Sequence, residues 1–266
     1  FIMSLIKFLS YHSYLCNMRF FIEISYLGSN YHGWQVQPNI NTVQSELQGA
    51  LSMILNEDIT IVGAGRTDSG VHAKQMFAHF DCITTFQSKE LINKLNKCLP
   101  KDISIHNLFH VNNDANCRFD AISRTYRYTI IKKKDPFNYN AYLLYKRLDF
   151  LAMQEACQFL LGKQDFTSFS KIHTQTFTNT CNVMKAYWAK KDNKMIFTIQ
   201  ADRFLRNMVR AIVGTLLEVG EGKITPEYLQ DIIQRKDRSI AGVSVPAKAL
   251  SLIQVEYPKY IMNGSK

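Results

Sequence analysis

No C-x-x-C pair joins the six cysteines, Cys16, Cys82, Cys98, Cys117, Cys157 and Cys181, so neither a zinc knuckle nor a dithiol redox motif is indicated. They are expected to be reduced, buried thiols of a cytoplasmic protein. Nor is there an uninterrupted apolar run of the roughly 18 residues that a membrane span needs, and no membrane partner is expected. Residues 1–17 come nearest, but Lys7 interrupts them and no small-residue cleavage site follows; a secretory signal is the weaker reading. Met18 stands directly before the first strand pattern, so residues 1–17 are expected to be an extension, a tag or a misplaced start. His106 and His110 have helical metal spacing, yet Ile103 and Ile105 alternate ahead of them as in a strand, and both are expected to be structural or surface histidines. Acidic residues are short as well: 22 Asp and Glu face 32 Lys and Arg, for a net charge of +10 and a pI of about 9.3. Such a surface attracts polyanions, of which nucleic acid is the commonest.

At 266 residues, 46% of them apolar, the chain can fill one large core or two medium ones. Phe20, Ile22, Ile24 and Tyr26 alternate with Phe21, Glu23 and Ser25 as a strand. After a turn-rich loop, Val43, Leu47, Ala50, Leu51 and Ile54 share a helical face, with Asn41 or Thr42 as cap. Short strands at 59–62 and around Met76, Ala78 and Phe80 follow, then a helix bearing Leu91, Leu95 and Leu99 that Pro100 ends, then a strand over 103–111. The order β-α-β-β-α-β recurs from Arg124: a strand to Ile131, a helix from about Phe150 to Leu161, a hairpin turning at Asp192 and Asn193, an amphipathic helix from Leu205 to Leu217, and a last strand over 250–255. Thr225 and Pro226 start an additional helix. The expectation is an α+β fold of two ferredoxin-like halves with antiparallel sheets, residues 18–112 and 113–266, helices on one sheet face and the other face open to a ligand.

The sharpest local signal is the run 63–72, Gly-Ala-Gly-Arg-Thr-Asp-Ser-Gly-Val-His, set between two strands. A phosphate loop would need Lys and Ser or Thr after its last glycine, where Val71 and His72 stand. Asp68 and His72 are too few for a metal site. Asp68 is then either the cap of its own tight turn, the common fate of Asp in such loops, or a reactive carboxylate. Arg66, two residues away, favours the second reading, because a nearby guanidinium orients a carboxylate and favours its charged form.

Residues 65–72 resemble the signature of the TruA family of tRNA pseudouridine synthases. Other blocks agree in order along the chain: Ser25-Tyr26-Leu27-Gly28 with Tyr31-His32-Gly33-Trp34-Gln35, Arg124-Thr125-Tyr126-Arg127-Tyr128, the run 165–169, Asn207-Met208-Val209-Arg210 with Ile212-Val213-Gly214, and Glu218-Val219-Gly220. The resemblance spans about 18–258. It implies a pseudouridine synthase fold and an isomerase that needs no metal, redox cofactor or nucleotide, acting as a homodimer on uridines 38 to 40 of the tRNA anticodon stem-loop.

The resemblance makes Asp68 the nucleophile, leaving open attack at C1′, attack at C6, or assistance to elimination. Arg66 would fill the space of a flipped-out base, or simply pair with Asp68. Tyr126 would pack on the uracil, or be an ordinary strand tyrosine, as Tyr128 is expected to be. Arg210 would form the ion pair of Asp68. Arg203, Arg206 and Arg210 have i, i+3, i+7 spacing and so share one helical face, for tRNA phosphates or merely solvated. The rival from another class is a non-catalytic RNA-binding module of RRM topology, but the RNP1 pattern is absent and such a module gives the Asp68 loop no purpose. A nuclease or phosphodiesterase, lacking paired histidines or a metal set, is weaker still.

Overall fold

The computed structural model describes residues 17–171 and 177–262, so the expectation for residues 1–17 falls almost wholly outside the described residues. The first strand set comprises β1 (Met18–Tyr26), α1 (Val43–Leu55), β2 (Ile61–Gly63), β3 (His72–Cys82), α2 (Ser88–Cys98) and β4 (Ile103–Val111). Of the two expected caps Thr42 is the one that starts α1, and it forms a capping box: Ser45 N–H donates to Thr42 Oγ1 at 3.2 Å and Thr42 N–H to Ser45 Oγ at 3.1 Å. The α2 helix stops ahead of Pro100, with Leu99 extended, as the residue before proline requires. The strands order β4-β1-β3-β2, and every neighbouring pair is antiparallel.

The second set repeats that order as β10-β5-β9-β8. It is built from β5 (Ser123–Ile131), α3 (Phe150–Ala156), β8 (Thr180–Lys191), β9 (Lys194–Ala201), α4 (Met208–Gly220) and β10 (Leu250–Glu256), with α5 (Tyr228–Arg235) between α4 and β10. Two short strands were not anticipated, β6 (Tyr142–Leu143) beside β5 and β7 (Gly162–Asp165) beside β8. Asp192 turns the β8–β9 hairpin with φ of +53°. The two sets fuse into one ten-stranded sheet through a parallel ladder of only two residue pairs, Ser251 with His72 and Leu252 with Ala73.

Four expectations change. The face of the first sheet opposite α1 and α2 is partly covered: Phe21 is fully buried, with Tyr257 of the C-terminal segment at 5.4 Å and Phe77 against the same ring. The helix at 205 begins later, at Met208, because Asn207 takes the left-handed conformation. It is enclosed rather than amphipathic, since only Arg210 and Glu218 of its 13 residues are not buried. A Cβ on Gly214 would lie 1.9 Å from Val243 O, which shows how closely residues 241–249 press on this helix. Of the described cysteines Cys98 is exposed, while Cys82, Cys117, Cys157 and Cys181 are buried.

Candidate active site

The loop 64–71 joins β2 to β3 and is held from one side by the segment 26–34. Trp34 N–H donates to Thr67 O, Gly70 N–H and Ser69 Oγ both reach Tyr31 O, and Tyr26 Oη meets Thr67 Oγ1 at 2.8 Å. Two glycines allow that approach. A Cβ on Gly28 would lie 2.0 Å from Val71 O, and one on Gly33, whose φ is +92°, would lie 2.5 Å from Thr67 O. From the other side His72 acts as a clasp. Its Nδ1 accepts from Gly28 N–H at 2.9 Å, which leaves Nε2 to donate to Lys248 O at 2.8 Å. Burial lowers the pKa of this ring, in keeping with the neutral tautomer that the two bonds require.

The main chain of the loop makes the tight turn, with Val71 N–H donating to Asp68 O at 3.1 Å, but the Asp68 side chain does not cap it. Among the described residues its carboxylate faces two guanidinium groups: Oδ2 is 3.4 Å from Arg210 Nη1 and Oδ1 is 4.0 Å from Arg206 Nε. Arg210 is itself oriented, because its Nε donates to Val245 O at 2.8 Å and Val245 N–H returns a bond to Arg210 O. Tyr126 stands edge-on to Phe204, centroids 5.1 Å apart. Its hydroxyl is pushed up from its ordinary pKa, first by burial and then by the Asp68 charge.

The structure brings together Asp68, Tyr126, Arg210 and Arg206. It gives Arg66, which the sequence grouped with them, another partner, and it breaks up the expected arginine face. Arg66 is exposed and its Nε donates to Gln35 Oε1 at 3.2 Å instead of pairing with Asp68; it lines a shallow recess with Trp34, Gln44, Gly63 and Arg118. Arg203 and Arg206 lie in the turn 202–207 ahead of α4, so the three-arginine helical face does not exist. Val245 and Phe204 take part in the arrangement without having been singled out, and Tyr26 was named only within a strand and a family block; nothing in the spacing of 241–249 marked it as the wall of the site. Tyr128 is core, as expected, with its hydroxyl bonded to Pro246 O.

Fold and site together define an enzyme-like centre: a carboxylate on a braced loop, aimed away from its own backbone, with guanidinium groups and an aromatic hydroxyl around it. The sequence pattern of the tRNA pseudouridine synthase family matches residues 23–120 and 156–258. The chain is 52% identical over 243 residues to tRNA pseudouridine synthase A of Parabacteroides distasonis, covering 91% of this chain and 96% of that protein. It is 51% identical over 249 residues to the protein of that name from Bacteroides thetaiotaomicron, covering 92% and 93%. With tRNA pseudouridine synthase A 2 of Clostridium perfringens it shares 40% over 240 residues, covering 89% and 98%. The chain belongs to the tRNA pseudouridine synthase family, whose members are isomerases.

Proposed function

We propose that this chain isomerises uridine to pseudouridine at positions 38 to 40 of the tRNA anticodon stem-loop, as a cytoplasmic homodimer, with Asp68 as nucleophile. The observation that carries the reading is the Asp68 carboxylate, freed from its own turn and set 3.4 Å from Arg210. In the reaction the C1′–N1 bond breaks, the uracil turns while held, C5 joins C1′, the C5 hydrogen leaves as a proton and N1 gains one. A stacked base must first be flipped out, at a cost of roughly a few kcal/mol. Arg66 occupies the vacated space, which its exposed position beside the recess allows. Tyr126 packs on the uracil, Arg210 orients Asp68, and Arg203 and Arg206 meet backbone phosphates at the entrance. The RNA-binding-module reading finds no support in the family match.

The test is release of tritium from tRNA transcripts labelled at C5 of uridine, with a single uridine kept in turn at position 38, 39 or 40. Release from at least one of them is expected. Retention of all the label on a tRNA that the protein binds would leave only the RNA-binding reading.

A further inference from the structure

Arg124 lies two residues before Tyr126 at the start of β5, and its guanidinium gathers main-chain carbonyls from several segments. Nη1 donates to Ala121 O at 2.9 Å and to Asp202 O at 2.8 Å; Nη2 donates to Ala64 O at 2.8 Å and to Arg118 O at 2.5 Å. Among the described residues no carboxylate forms an ion pair with it, and burial lowers its pKa. A cation placed this way contributes geometry rather than charge pairing. The planar fork of five N–H groups can fix several acceptors relative to one another, and a lysine ammonium cannot.

The carbonyls it joins are not arbitrary. Ala64 opens the loop that carries Asp68, and its N–H is already fixed to Phe77 O of β3. Asp202 opens the turn that carries Phe204 and Arg206 and leads into Arg210; its N–H is fixed to Asn182 O and its carboxylate to the amides of Asn182 and Arg203. Arg118 lines the recess beside Arg66. One side chain therefore ties the start of the segment bearing the carboxylate directly to the start of the segment bearing its guanidinium partners. Elsewhere the main-chain ladder between the two strand sets has only the two pairs of β3–β10, beside single side-chain bonds such as Val255 N–H to Gln75 Oε1 and His72 Nε2 to Lys248 O.

We infer that Arg124 is a positioning residue for the isomerisation, fixing the separation of Asp68 from Arg210 and Tyr126 through the backbone at Ala64 and Asp202. The inference rests on Asp68 being the nucleophile. It follows that loss of the fork loosens the reacting geometry while leaving the phosphate contacts that hold the tRNA.

The experiment compares full-length wild type, Arg124→Lys, Arg124→Ala and Asp68→Asn, measuring the single-turnover rate at saturating enzyme, the Kd for unmodified tRNA and the thermal midpoint. Arg124→Lys is expected to slow the saturated rate by about a hundredfold, the effect of a misplacement near 1 Å, with tRNA affinity changed less than about twofold. Methylguanidinium added to Arg124→Ala should restore activity, and methylammonium should not, since only the former has the planar donors. A wild-type rate for Arg124→Lys beside an inactive Asp68→Asn overturns the positioning role alone. Loss of tRNA affinity or of folding in step with the rate, or no response to methylguanidinium, also overturns it. An active Asp68→Asn overturns the nucleophile reading and this inference with it.

Discussion

Arg210 Nη1 comes within 3.4 Å of Asp68 Oδ2 although the two residues stand 142 positions apart in the chain. The contact crosses the join between the two strand sets. It comes from a helix on which Arg210 is the only cation and nearly every other residue is buried. A guanidinium kept on such a helix, with its Nε fixed to Val245 O, has a defined direction, and that direction is toward Asp68.

Arg210→Lys should therefore be costly in rate and cheap in stability. The pair is about a quarter exposed on each side, so its loss should change the unfolding free energy by no more than about 1 kcal/mol. Lysine cannot hold Val245 O and face Asp68 at once, and turnover should fall at least about tenfold, the equivalent of about 1.4 kcal/mol. Parallel denaturant titrations and tritium-release rates check this; a variant losing stability and rate in proportion would contradict it.

The glycines of the segment that braces the loop make a second prediction, with a built-in control. Gly28→Ala forces a Cβ to within 2.0 Å of Val71 O, a backbone collision that should cost about 1–3 kcal/mol and displace the loop that carries Asp68. Gly49, inside α1, has open space around the same position, and Gly49→Ala should stabilise by about 0.5–1 kcal/mol without touching activity. Equal unfolding midpoints for the two variants would show that the close approach is not the constraint.

Much of this was legible in the sequence, for physical reasons that also mark where legibility ends. Alternation and helical periodicity located the strands and helices of both sets, because half-buried elements must repeat with the period of their backbone. The Gly-rich loop stood out since few residues tolerate its turns. What failed was reasoning from proximity along the chain. Arg66 and Asp68 are two apart and do not pair, whereas Arg206 and Arg210 come from the other strand set. The arginine face was misread because Leu205 fits the apolar period of the helix, while the left-handed Asn207 interrupts it. The two-pair join of β3 to β10 leaves no periodic trace at all.

The buried histidines predict a pH dependence of stability with a definite sign. His79 accepts from Cys117 N–H at Nδ1, and burial, helped by Arg19, lowers its pKa to about 4; His72 is lowered as well, by burial. Both rings are thus neutral in the folded protein, while in the unfolded chain they take up a proton near pH 6.5. Their contribution is complete above about pH 6.5 and declines as the pH falls toward the folded values, about 4 for His79. The denaturation midpoint should drop between pH 7 and pH 5, and the drop should be smaller in His79→Gln. A midpoint that rises on acidification would reverse the sign and sink the argument.

The remaining prediction concerns Asp68 itself. Asn keeps the size and polarity of the side chain but removes the charge and most of the nucleophilicity, so it separates two roles that the loop geometry alone allows. If Asp68 merely shaped the turn, Asn would serve nearly as well, because both residues make the same local backbone bonds. In this loop, however, the turn is closed through the backbone, Val71 N–H to Asp68 O, while the carboxylate looks outward to Arg210 and Arg206. Substitution should thus leave the fold intact and bring Asn opposite two guanidinium groups that have lost their anion. Affinity for tRNA should stay near wild type, since phosphate contacts supply most of it, while isomerisation should vanish. Retention of even a tenth of wild-type turnover would refute the nucleophile role, because that corresponds to only about 1.4 kcal/mol, far less than the loss of a covalent catalyst should cost.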